Sequence, residues 1–137
     1  MINFLFKNYL SIEEIKHFLL QVFNSSEGKI VIVGIEEFND INSKIEANNL
    51  SCLCVYSKIF GDASLLIQLY RYSIKENILI EEIIKTSIKL SIACYVPIDD
   101  FDGWILLGEQ PDKIKGKQIQ SEKDNVFYFK KTYQPLR

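Results

Sequence analysis

The sequence predicts an α+β fold: a largely antiparallel sheet of about five to seven strands, backed by two or three helices. Three observations predict it. Short β-branched and aromatic runs recur along the 137 residues. Helical periodicity is confined to two or three windows, and strand-like neighbours in the C-terminal half are separated by hairpin-length connections. The length fits a single domain, 1–137, that can bury roughly two thirds of its unfolded surface without a disulfide or metal.

Residues 2–8 fit a short strand or an extended arm. Ser11 and Glu14 then form a capping box, with Leu10 and Ile15 placed as the accompanying staple. Ile12, Ile15, Leu19, Val22 and Phe23 repeat at helical spacing, so a first helix is predicted over about 12–24. Lys29–Ile35 is continuous and β-branched, the composition of a central strand covered on both faces. Phe38, Ile41 and Ile45 predict a second, shorter helix. Residues 50–57 predict a strand with Leu53 and Val55 on one face, and residues 64–73 a second strand joined to it as a hairpin.

A third helix opens at Lys75–Asn77. Ile80, Ile83, Ile84 and Ile88 form its expected apolar stripe, and Glu81 and Lys85 stand at a favourable i, i+4 spacing. Leu90–Ala93 fits either the end of that helix or the start of the next strand, which Pro97 closes. Gly103–Leu107 predicts another strand, 111–117 a polar surface loop, and Val126–Lys130 a last strand. The tail, 131–137, is expected to be loose.

Composition limits the function. The formal net charge is −2, a balance unlike that of a protein that coats phosphate backbones, so nucleic acid is not an expected partner. Cys52, Cys54 and Cys94 lie in apolar runs without zinc spacing; Cys52 and Cys54 share a strand face and are poorly placed to pair. Small reduced core side chains in a cytosolic protein are the expected reading. The N-terminal apolar run lacks the flanks of a signal peptide, and no window of 18 apolar residues free of charge occurs, so no membrane partner is expected.

Motifs for catalysis are sparse. His17 is the sole histidine and has no nameable partner. The chain has no GxSxG elbow, GxGxxG loop or Walker loop, so neither a cofactor nor a metal is expected. The chemistry-bearing feature is an acidic turn, Asp99, Asp100, Phe101 and Asp102, between apolar runs and just before Trp104, with Glu109 beyond. Such residues fit a plain solvated turn or a surface that grips a basic partner, and Trp104 fits a core anchor or an interface residue. Tyr70 and Tyr72 form a second patch, expected to share one strand face with Arg71 opposite. Base stacking there would require neighbouring cations, and few are present.

From Tyr95-Val96-Pro97 through the Asp-rich turn, the Gly103–Leu107 strand, a polar stretch and Val126–Phe129, the chain resembles immunity proteins of bacterial polymorphic toxin systems, including contact-dependent growth inhibition. The resemblance covers about a third of the sequence. It implies a small, cytoplasmic, non-catalytic protein that binds and neutralises a cognate toxin domain, often a basic nuclease. Carboxylates would substitute for phosphate in the nuclease cleft. The expected contact residues are Asp99, Asp100, Phe101, Asp102 and Glu109, with Tyr70 and Tyr72 secondary, and a monomer is expected over a homodimer. Two alternatives stay open: a secretion chaperone or adaptor that binds a client protein, and a carboxylate-dependent enzyme.

Overall fold

Alternation along the first strand decides how the layers are assigned. Ile2, Phe4 and Phe6 point to one side and Leu5 to the other, and all four are buried. A strand apolar on both faces needs cover on both, and the rest of the chain supplies it.

The structure, a computed structural model, describes residues 1–24, 29–38, 50–97, 103–108, 114–119 and 125–131, with backbone alone for 114–119, 130 and 131. In chain order the elements are β1 (Ile2–Phe6), α1 (Ile12–Phe23), β2 (Ile30–Gly34), a 3-10 turn (Ile35–Glu37), β3 (Cys52–Lys58) and β4 (Phe60–Gly61). There follow β5 (Leu65–Tyr70), α2 (Glu76–Leu90), β6 (Cys94–Pro97), β7 (Gly103–Leu107), β8 (Ile114–Ile119) and β9 (Val126–Lys131). The α+β class holds. The described sheet is larger than expected, with strand order β2-β3-β5-β1-β6-β7-β8-β9-β4. All pairings are antiparallel except β2 with β3 and β4 with β9.

One face carries both helices. Ser11 caps α1 by accepting from Glu14 N–H at 3.1 Å, while Glu14 accepts from Ser11 N–H at 3.1 Å. Ile15, Phe18, Leu19 and Val22 press onto Phe4, Phe6, Cys54, Ile67 and Cys94 of the sheet. The rings of Phe4, Phe6 and Phe18 lie 5.0–5.9 Å apart, contacts worth about 0.5–1.5 kcal/mol each beyond simple burial. Helix α2 adds Leu79 and Ile83. At its end Ser91 turns left-handed, Ile92 N–H donates to Ser87 O at 3.1 Å, and Ser87 Oγ donates to Ile92 O at 2.7 Å. Gly108 closes over this junction at φ +83°, where a Cβ would stand 2.3 Å from Ile92 O.

The other face is covered by the sheet itself. The chain passes from β3, second in the strand order, to β4, the last, across Ile59 alone. The sheet therefore curls until β9 meets the tip of the β3–β5 hairpin. Inside the curl Leu5, Ile59, Tyr95, Trp104 and Leu106 meet Phe127 and Phe129. Tyr95 stacks on Phe129 at 4.2 Å, and Trp104 meets the same ring edge-on at 5.4 Å. Trp104 is thus a core anchor, 9% exposed.

Several expectations are corrected. The run at 29–35 makes an end strand, because β2 pairs with β3 and no other described strand. Residues 114–117, expected in a surface loop, belong to β8 (Ile114–Ile119), where pairing with β7 and β9 satisfies the backbone of a polar run. In α1 Phe18 is buried and Ile12 exposed; in α2 the buried positions are Leu79, Ile83, Thr86 and Ser87, with Ile88 exposed. Lys85 pairs with Glu82 at 3.6 Å, one helical position from the expected Glu81. The strand predicted over 64–73 stops at Tyr70, where Arg71 takes φ +54°. The second helix expected from Ile41 and Ile45, and the tail 132–137, lie outside the described residues.

Candidate functional site

The parallel β2–β3 pair ends in an open cleft of about 410 Å³. Register sets Gly34 opposite Tyr56, whose ring lies 3.6 Å from where a Cβ would be, an ordinary van der Waals distance. Beyond Gly34 the backbone tightens into the 3-10 turn, with Phe38 N–H donating to Ile35 O. That turn brings Ile35, Glu36 and Glu37 to one wall, facing Tyr56, Ser57 and Lys58. Phe38 then anchors the turn by packing its ring 5.1 Å from Tyr70.

The cleft thus sets two exposed carboxylates and an exposed isoleucine across from Tyr56 and the cation Lys58. The ammonium of Lys58, a residue of the cleft wall, sits 5.4 Å from the Tyr9 ring centroid, a cation–π contact. Sequence reasoning missed Glu36 and Glu37. They are adjacent in sequence, but the wall opposite them comes from a strand some twenty residues later, and no local motif announces that pairing.

The seven residues expected at a contact surface divide. Asp99, Asp100, Phe101, Asp102 and Glu109 lie outside the described residues. The flanking strands are described: β6 and β7 pair antiparallel with Pro97 opposite Trp104. Following the alternation of strand directions, Pro97 stands at the opposite end of the sheet from Gly34.

Tyr70 and Tyr72 are described and do not form one patch. Tyr70 packs with Leu53, Val55 and Phe38, on the face away from the helices. Tyr72 packs against the helix-side core. The left-handed Arg71 between them reverses the alternation that an unbroken strand would have kept. Burial pushes the Tyr72 phenol upward, with Glu76 and Cys52 adding to the effect.

The nucleophile candidates are inert. Cys52, Cys54 and Cys94 are free and buried, all on the helix side of the sheet. Burial pushes Cys52 and Cys94 up to about 12, and Cys54 also well above its ordinary value. A thiol held neutral in this way is no nucleophile at neutral pH. His17 is exposed on α1. Among the described residues no three His, Cys, Asp or Glu side chains converge as a metal site would require, and no helix is long and apolar enough to cross a membrane.

No family model, curated protein or solved structure matches the chain.

Proposed function

We propose that this chain acts by contact: it binds and neutralises a cognate toxin domain, a basic nuclease, as the immunity proteins it resembles do. The carrying observation is the cleft beside Glu36 and Glu37, two carboxylates with exposed Ile35 on the end of a stiff sheet. Preformed negative charge steers a cationic partner, and an apolar residue within it lengthens residence once water is expelled. The buried, proton-retaining thiols fit a molecule that performs no covalent chemistry of its own. On this reading the protein works in the cytoplasm of a bacterium as a monomer. The acidic turn with Asp99, Asp100, Phe101 and Asp102, together with Glu109, supplies a second contact region.

The test is co-purification with a basic nuclease domain encoded in the same genome. A stable one-to-one complex with suppressed nuclease activity is the expected result. Free nuclease activity in the presence of excess chain, or turnover of a small substrate by the purified chain, contradicts the proposal.

A further inference from the structure

The two ends of the sheet are built differently. At one end β4 is two residues long and includes Gly61, so it offers little backbone for a further strand. At the other end β2 is five residues long, Ile30–Gly34, with neither a charge nor a proline inside it. Among the described residues its one strand partner is β3. Charges, prolines and very short strands are common guards against edge-to-edge pairing, and β2 carries none of them.

The strand also fits itself. Ile30 and Ile32 face the helices, and Val31 and Val33 face the other side. Exposed Lys29 precedes it, and exposed Ile35, Glu36 and Glu37 follow it. Antiparallel pairing with β2 of a second copy, about a two-fold axis at Ile32, sets Ile32 against Ile32, Val31 against Val33 and Ile30 against Gly34. Every side chain then stays on its own face of the joined sheet. One step further out Lys29 comes level with Ile35. Its methylene stem covers that isoleucine while its ammonium reaches Glu36 and Glu37, and the symmetry makes this contact twice. Parallel pairing would instead set like charges against each other at both ends.

We propose that the β2 edge binds a second copy of this chain, joining two sheets into one across an antiparallel β2–β2 seam closed at each end by Lys29 with Glu36 and Glu37. The occupant is a second copy because the edge carries both halves of its own charge complement. The pairing does not rest on toxin neutralisation. It uses the same carboxylates, so a toxin domain and a second copy compete for them, and the monomer is the form that enters a one-to-one complex.

Sedimentation velocity of the chain alone, from about 1 µM to about 1 mM, tests it. The parent should pass from monomer to dimer within that range. Lys29→Glu and, separately, Glu36→Lys/Glu37→Lys should each weaken dimerisation at least about tenfold, since like charges then meet at both ends of the seam. An equimolar mixture of the two variants should dimerise again, because pairing one with the other restores opposite charges at both ends. All three positions are exposed, so the far-UV circular dichroism of each variant should match the parent. A parent that stays monomeric throughout overturns the proposal. So does a dimer that neither variant weakens, or a mixture that stays monomeric. With no nuclease domain present, each outcome is read independently of toxin binding.

Discussion

The backbone N–H of Phe129 donates to the Asp62 carboxylate over 2.7 Å, tying the last described strand to the tip of the β3–β5 hairpin. Two further bonds flank it, Phe60 N–H to Asn125 O at 2.8 Å and Asp62 N–H to Phe127 O at 2.7 Å. Between them Gly61, at φ +97°, passes so close to β9 that a Cβ would stand 2.3 Å from Phe127 O. The curl of the sheet, and the burial of Tyr95 and Trp104 within it, depend on this short seam.

Asp62→Ala should therefore destabilise the fold by about 1 kcal/mol, the order expected for one exposed charge-assisted bond. Gly61→Val should cost more, since it adds strain and a backbone clash together. Urea unfolding followed by Trp104 fluorescence reads both. Equal midpoints for Gly61→Val and the parent chain would show that the seam contributes nothing.

The thiols predict a pH dependence. Cys52 and Cys94 titrate near 12 in the folded chain against 9.0 ordinarily, so the unfolded state releases their protons first. Their contribution is intact below about pH 9 and is lost as pH rises toward about 12, by up to about 1.4 kcal/mol per unit for each thiol. Unfolding free energy measured between pH 8 and about 10.5 should fall, and Cys94→Val should flatten that fall. An identical slope in the variant refutes the assignment. At pH 8 a thiol reagent should label all three cysteines only after denaturant is added.

Asn3 gives the opposite sign. Its Oδ1 is buried and finds no hydrogen-bond partner among the described residues, at a β1 position facing Gln68 of β5. Asn3→Val removes that unsatisfied acceptor and places a β-branched residue in a strand. Stability should rise by about 1 kcal/mol, read as a higher thermal midpoint; a drop of similar size would mean the amide is needed.

How much of this was legible depends on where each signal resides. The start of α1 was written locally, because Ser11 and Glu14 satisfy one another within four residues. Helix α2 was legible as a helix and in most of its phase, since Ile80, Ile83 and Ile84 pack on the core, while Leu79 was missed and Ile88 is exposed. Isoleucines at 78, 80, 83, 84 and 88 offer apolar faces all round, and tertiary packing selected the face bearing Leu79 and Ile83. Strand β8 was invisible because Ile114–Ile119 is polar and its pairing comes from β7 and β9. The edge position of β2 was hidden for the converse reason: an apolar run reads alike at the centre and at the end of a sheet. The Glu36–Glu37 cleft arises from a long-range parallel register, which no local spacing encodes.

The most direct measurement of contact without chemistry is a calorimetric titration of the chain against a basic nuclease domain encoded in the same genome. It compares the parent with Glu36→Lys/Glu37→Lys and with Asp99→Lys/Asp102→Lys. Each pair should weaken binding by at least about tenfold, as expected when like charges replace complementary ones, and each should reduce its salt dependence while leaving the thermal midpoint unmoved. Affinity equal to the parent in both pairs would contradict the account.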